Sequence, residues 1–319
     1  MIVTFTANPS LDRTVTLGEP LSRGQVHRVT SVTVEPGGKG VNVARCVHSA
    51  GQEVLALLPA GSEDSILGAI RAIGLPYEAV TIGQGVRTNL TITEGDGTTT
   101  KINEPGPTLD ADQLAACRDL VTRYAASADW VVLSGSLPPG APADFYATLT
   151  PELRALGCQV AIDTSDAPLQ AVVDALPASA CDLIKPNSEE LAQLTGGDPE
   201  QLEATAKAGD PGPVIEAARS LQARGITNVL ATLGGAGAVL VTADGAWHAA
   251  APAITVKSTV GAGDSSVAGF ILAAVAGGTP EQCLARAVAY GSAAASLAGT
   301  ALPRPEDADP DAVVVTRVD

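Results

Sequence analysis

The sequence predicts an α/β fold: a mostly parallel central sheet with helices on both faces, plus a few half-exposed strands near its start. Three observations predict it. From Leu109 onward, short apolar runs alternate with segments of helical periodicity, the pattern of repeated βαβ units. The apolar runs end in glycine- and hydroxyl-rich turns, on the edge where open parallel sheets bind ligands. Before Leu109, two Val- and Thr-rich stretches alternate with a period of two, as strands with one solvated face do.

Residues 2–6 read as a buried strand and residues 7–13 as the turn that ends it, carrying Asp12. Asp12 there suits either sugar hydroxyls or a plain Asx turn. Residues 14–35 hold two alternating runs, 14–17 and 26–35. Next comes Gly37-Gly38-Lys39-Gly40, leading into Val41-Asn42-Val43-Ala44. A glycine follows the lysine, so this is not a Walker A loop. It is still a glycine turn into a helix with a cation inside it. Backbone N–H groups and Lys39 could meet a phosphate there; a plain turn with a solvated lysine is the other reading. A strand at 54–59, a helix at 65–73 ended by Gly74, and a strand at 79–82 follow. Residues 86–93 and 98–103 flank Gly95-Asp96-Gly97 as a hairpin that carries Arg87 and Lys101.

The alternating half predicts helices at 111–126, 143–156, 169–176, 188–194 and 214–224. Its strands are expected at 130–134, 159–163, 183–185 and 228–232. Polar turns close these strands: Ser134-Gly135-Ser136-Leu137-Pro138, Asp163-Thr164-Ser165, Lys185-Pro186-Asn187, and Thr232-Leu233-Gly234-Gly235-Ala236-Gly237. Residues 197–213, rich in Gly, Pro and Asp, read as a surface excursion or loop. The tail is acidic and ends in an apolar run, 313–315, expected to dock as a helix or strand.

A strand-like run at 252–256 then leads into Gly261-Ala262-Gly263-Asp264, which opens an apolar helix. Free N–H donors and the positive end of a helix favour an anion at such a junction. A carboxylate beside that anion hole suits a general base, taking a proton from an alcohol while the hole holds the group the alcohol attacks. The plainer reading is a tight turn with Asp264 as an N-terminal helix acid.

Composition narrows the field. Asp and Glu total 35 against 19 Lys and Arg, a formal charge of −16, which argues against nucleic-acid or anionic-membrane partners. It also makes the few cations near a ligand matter. No secretory signal or membrane-spanning run is apparent. The five cysteines are scattered without C-x-x-C, and the three histidines lack ligand spacing. A cytoplasmic location is expected, and neither a zinc site nor a histidine-based triad.

Taken together, Gly37 to Ala44, Ser134 to Pro138, Lys185-Pro186-Asn187-x-x-Glu190 and Ser258 to Asp264 resemble the motifs of the PfkB (ribokinase-like) carbohydrate kinases. The resemblance runs from the first strand to about Gly299. Asn8-Pro9-x-x-Asp12 and the lysine in Gly-Gly-Lys-Gly are similar to the branch of 1-phosphofructokinases and tagatose-6-phosphate kinases. Arg23 to Val26, Arg87 to Asn89 and Thr93 to Gly97 favour the former. The resemblance implies one ribokinase-like αβα domain over 1–319, with a small β-sheet lid from 14–35 and 86–103, and a homodimer packed lid to lid. It implies ATP and Mg²⁺ as cofactors and a ketohexose monophosphate as acceptor, fructose 1-phosphate to fructose 1,6-bisphosphate being the expected reaction and tagatose 6-phosphate the alternative; a non-catalytic sugar-phosphate sensor is the reading of another class. It carries the catalytic base onto Asp264 and its anion hole onto Gly261, Ala262 and Gly263. Sugar-phosphate contacts fall on Asp12, Gly38, Lys39, Asn42, Arg87, Lys101 and Ser136. The nucleotide side takes Lys185, Thr232 and Leu233 to Gly237, and Asn187 with Glu190 hold magnesium through water. Two departures stand out: Asp166 where a glycine is usual, and Thr232 where a serine is usual.

Overall fold

The computed structural model describes residues 1–318, so Asp319 of the expected 1–319 unit lies outside the described residues. The chain opens with β1 (Ile2–Thr6), β2 (Ser10–Leu17) and β3 (Val29–Gly37). Then come α1 (Lys39–Ser49), β4 (Val54–Ala60), α2 (Ser65–Ala72), β5 (Tyr77–Thr81), β6 (Arg87–Thr93) and β7 (Thr99–Asn103). The alternating half runs α3 (Ala111–Ala125), β8 (Trp130–Ser134), α4 (Phe145–Ala155), β9 (Gln159–Asp163), α5 (Asp166–Asp174), β10 (Leu183–Ile184) and α6 (Ser188–Thr195). After it stand α7 (Pro199–Lys207), α8 (Gly212–Gln222), β11 (Asn228–Thr232), β12 (Ala238–Thr242), β13 (Gly245–Ala249), α9 (Ala262–Val275), α10 (Pro280–Ser296) and β14 (Val315–Arg317).

Ten strands form one sheet in the order β14-β13-β12-β11-β10-β9-β8-β1-β4-β5. It is parallel from β11 to β5 and antiparallel from β11 to β14. Successive strand residues serve opposite faces. Val131 and Leu133 pack with Phe5, Ile162 and helices α3, α4, α5 and α8; Trp130 and Val132 pack with Ile2, Leu230 and helices α1, α2, α9 and α10. Burial on both faces is why these strands read as continuous apolar runs. Helix α9 is buried along most of its length, from Asp264 to Ala273. Gly269 lets α10 approach it: a Cβ there would lie 2.5 Å from the Arg286 carbonyl oxygen.

The four remaining strands form a separate sheet, β3-β2-β6-β7. Its register places Ser10, Asp12, Arg87, Asn89 and Thr91 on one face. The opposite face leaves Val29, Val32, Val34 and Ile102 between 45% and 55% exposed. No helix among the described residues is long and apolar enough to cross a membrane.

Three expectations are corrected. Asp12 lies within β2 rather than in a turn after β1, because Ser10 to Leu17 pair with both β3 and β6. Residues 197–213 contain α7: the Asp198 side chain accepts from the N–H groups of Glu200 and Gln201, Pro199 fits the first turn, and Leu202 and Ala206 are buried. The polar composition hid two apolar residues at helical spacing. Residues 252–256 form no strand; the hairpin β12–β13, which had no sequence expectation, precedes that loop. The 14–35 and 86–103 segments form the small sheet as expected, β2 pairing β3 and β6 pairing β7 antiparallel, with β2 and β6 joined in parallel. The tail docks as expected, with β14 antiparallel to β13.

Candidate active site

The site lies at the carboxyl ends of β1, β8, β9 and β10. Thr6, Ser134 and Asp163 stand side by side in register, and Lys185 follows β10 directly. Two helices begin above this edge. Helix α1 starts after Gly38, whose φ of 102° is left-handed and whose Cβ would fall 2.7 Å from Thr6 Cγ2. Helix α9 starts after Gly261, φ 74°, with Asp264 in its first turn. The Asn42 amide donates to Asp264 Oδ2 at 2.8 Å and ties the two helix starts together. A Cβ on Gly263 would stand 3.2 Å from Lys185 Nζ, so this glycine keeps the cation close to the α9 N-terminus.

A buried charge cluster surrounds Asp264. Asp163, 1% exposed, accepts from Lys39 Nζ at 2.9 Å and pairs with Lys185 Nζ at 3.3 Å, both through Oδ1. Burial raises the Asp264 pKa first and the Asp163 charge adds to it; Lys39, the Asn42 hydrogen bond and Lys185 offset part, leaving it at about 6. Asp163 is buried too, but Lys185 and Lys39 outweigh the burial and hold its carboxyl below the usual range. Burial works against the Lys39 charge, yet Asp163 and Asp264 raise its pKa. Such a carboxylate, ionised at neutral pH and close to proton-accepting strength, can serve as a general base. Asp163 has no role among the sequence-derived site residues; a lone Asp closing an apolar strand was the available signal. Its Oδ2 is buried without a hydrogen-bond partner.

On the lid, Asp12 Oδ1 accepts from Ser10 Oγ at 2.7 Å and Asn89 Nδ2 at 3.0 Å. Arg87 Nη1 reaches the Glu104 carbonyl at 3.4 Å, and its Nε is buried without a partner. Burial lowers the Arg87 pKa, with Asp12 opposing. Lys101 is exposed and sits opposite Thr91, four residues along β6 from Arg87. That separation is about 13 Å at strand rise, so the structure does not bring Lys101 together with Arg87. Lys39 joins Asp163 and Asp264 at the centre rather than Arg87 on the lid.

On the other side, Asn187 and Glu190 form a capping box at the start of α6: Asn187 Oδ1 accepts from the Glu190 N–H, and Glu190 Oε2 from the Asn187 N–H. The second Glu190 carboxylate oxygen stays outside the cap. Oxygen donors of this kind suit Mg²⁺ held partly through water. Thr232 donates its N–H to the Pro186 carbonyl at 3.0 Å and bridges to Asn187. Gly234 and Gly237 take left-handed backbones, and a Cβ on Gly237 would strike the Ala249 carbonyl oxygen at 1.9 Å. Leu233 is fully buried in the core, so only its backbone can face a ligand, and Ala236 is 8% exposed. Gly235 has open space around it.

The pfkB family carbohydrate kinase profile matches residues 6–307, nearly the whole chain. The chain belongs to the pfkB family of carbohydrate kinases. It is 37% identical over 292 residues to a 1-phosphofructokinase of Xanthomonas campestris, covering 90% of this chain and 89% of that one. A 1-phosphofructokinase of Rhodobacter capsulatus is also 37% identical, over 309 residues, 96% of this chain and 93% of that one. Among solved structures, phosphofructokinase-2 from Escherichia coli in complex with substrates and products superposes with a TM-score of 0.86 at 29% identity, covering 96% of each chain.

As a pfkB-family kinase, the chain gathers Asp264, Gly261 to Gly263, Asn42, Lys39 and Lys185 into one cluster. Asp12 and Arg87 lie on one face of the small sheet, while Ser136 lines a cavity beside the β8 end. Of the two departures from the family pattern, Thr232 keeps a hydroxyl at its strand end. Asp166 occupies a backbone conformation suited to glycine, with φ 55°.

Proposed function

We propose that the chain transfers the γ-phosphoryl group of ATP to the C6 hydroxyl of fructose 1-phosphate, giving fructose 1,6-bisphosphate and ADP. The observation that carries this reading is Asp264: buried, oriented by Asn42, with a pKa raised to about 6, at the N-terminus of α9. The names of the two 37% identical relatives supply the acceptor.

Asp264 takes the hydroxyl proton as the oxygen attacks phosphorus. The N–H groups of Gly261 to Gly263 and the nearby Lys185 receive charge on the transferring group. Lys39, held by Asp163, adds positive charge at the same centre. Arg87 and Ser136 hold the phosphate already on the sugar, and Asp12 and Asn89 accept or donate at its hydroxyls. The Thr232 to Gly237 turn supports the nucleotide. Bound Mg²⁺ would neutralise phosphate charge, with Asn187 and Glu190 holding it through water.

We read the chain as one kinase domain with β2, β3, β6 and β7 as its lid. The exposed Val29, Val32, Val34 and Ile102 face supports a lid-to-lid homodimer, testable by light scattering of a Val32→Lys variant. Five free, buried cysteines fit a cytoplasmic location.

The test is ADP release with Mg-ATP and, in parallel, fructose 1-phosphate, fructose 6-phosphate, tagatose 6-phosphate and free fructose. The highest kcat/KM is expected for fructose 1-phosphate. A preference for tagatose 6-phosphate would reverse the sugar in the site. Turnover of free fructose alone would remove Arg87 and Ser136 from phosphate binding. No turnover with any of them would leave the sensor reading.

A further inference from the structure

Asn8 lies in the short crossing between β1 of the main sheet and β2 of the small sheet, and it is 3% exposed. Its Nδ2 donates to the Pro105 carbonyl at 3.0 Å. Residues 104–110 make the crossing back, from β7 of the small sheet to α3. The bond therefore fastens together two crossings that lie 97 residues apart in sequence. Gly106 completes the fit: its φ is 93°, and a Cβ on it would stand 2.2 Å from Asn8 Oδ1. Further on, the Leu109 N–H donates to the Pro139 carbonyl at 2.9 Å. The segment is thus moored to the main body at both Pro105 and Leu109.

Glu104 immediately precedes the first mooring point, and it meets the start of β6 twice. Its backbone carbonyl accepts from Arg87 Nη1 at 3.4 Å, and its Oε2 accepts from the Thr88 N–H at 2.7 Å. The Arg87 side chain makes no other hydrogen bond among the described residues, and its buried Nε has no partner. The Glu104 carbonyl is therefore the one hydrogen-bonded hold on the guanidinium, and further N–H donors remain for a ligand. At 3.4 Å that hold depends on where its acceptor is kept. An arginine side chain has much rotamer freedom, and losing it on binding costs affinity. A hold made before the ligand arrives reduces that cost.

We propose that Asn8 and Glu104 are positioning residues for Arg87. Asn8 moors residues 105–106 beside the end of β1, and Glu104 ties the same segment to β6. Together they place the carbonyl that holds the guanidinium ready for the phosphate already on the sugar. The inference rests on the reading of Arg87 given above. Both residues act through Arg87 and not on the substrate itself, so their effect exists only while the guanidinium is present.

The test is a double-mutant cycle with Arg87→Ala, read as the KM for the preferred sugar phosphate. Asn8→Ala and Glu104→Ala are each expected to raise that KM about threefold or more, with kcat and the KM for ATP within about twofold of wild type. Glu104→Gln keeps an oxygen for the Thr88 N–H and is expected to retain the wild-type KM. In the Arg87→Ala background, none of these variants is expected to add to the KM. Glu104 is exposed, so its variants decide the matter even where Asn8→Ala lowers the melting temperature. An unchanged KM in both alanine variants overturns the proposal. So does the same rise with and without Arg87, or a Glu104→Gln variant that behaves as Glu104→Ala does. Arg87→Ala with a wild-type KM would overturn the reading of Arg87, and this proposal with it. A raised KM in Arg87→Ala with purely additive effects from Asn8 and Glu104 overturns this proposal alone.

Discussion

Asn42 donates to Asp264 Oδ2 at 2.8 Å, across 222 residues of sequence, and so joins the start of α1 to the start of α9. This bond lowers the Asp264 pKa and aims its carboxylate. Asn42→Ala is expected to shift the acidic limb of the kcat/KM profile to higher pH and to cut kcat by about 10- to 100-fold. An unmoved limb would show that the bond does not act on Asp264.

A general base with a pKa of about 6 predicts that wild-type kcat/KM falls below roughly pH 6, with the slope of one proton. The same shift bears on stability. A raised carboxylate pKa means that the folded chain binds more protons than the unfolded one between about pH 4 and 6. Stability therefore falls as pH rises through that window. Asp264→Asn removes the ionised form and is expected to abolish turnover yet raise the melting temperature at pH 7. The shift corresponds to on the order of 2–3 kcal/mol. A lower melting temperature would contradict the sign.

Asp163 is expected to act in the opposite direction. Its charge raises the Asp264 pKa, so Asp163→Asn is expected to move the acidic limb to lower pH. The same change leaves Lys185 buried beside Lys39 without their shared counter-charge. Breaking a buried pair in this way costs about 3–5 kcal/mol, readable by urea denaturation. Stability equal to wild type would mean that water already screens the two lysines.

Arg87 and Lys101 separate cleanly. Arg87→Ala is expected to raise the KM for the phosphorylated sugar about tenfold with little change for ATP, as loss of a charge-assisted contact does. Lys101→Ala is expected to change neither, because the side chain is exposed on β7, well along the sheet from Arg87. Equal effects would place the phosphate further along the lid.

Gly263→Ala tests the anion hole. The added methyl would stand 3.2 Å from Lys185 Nζ and push the ammonium away from the α9 N-terminus. A kcat reduced by about tenfold or more with the fold intact is the expected result. Wild-type kcat would show that Lys185 does not need that proximity.

Much of this architecture was legible in the residues. Strand β9 and its neighbours read as apolar runs because both faces of the sheet are buried, and Gly261 to Asp264 announced a turn into a helix through local backbone chemistry alone. Helix α7 was obscured because Leu202 and Ala206 are its two buried positions within a polar segment. The loop at 252–256 is apolar without forming a strand; sequence pattern does not report whether a ladder partner exists.

The sequence by itself determined the α/β class, the order of most elements and the identity of Asp264 as the candidate base, because periodicity, glycine turns and helix starts are local properties. Only the tertiary structure decided that Asp163 sits between Lys39 and Lys185, that Asn42 aims Asp264, and that Lys101 stands apart from Arg87. Those relations depend on which strand ends lie side by side, and so does the pKa of Asp264. They arise from burial and Coulomb interaction between residues distant in the chain, which no local pattern encodes.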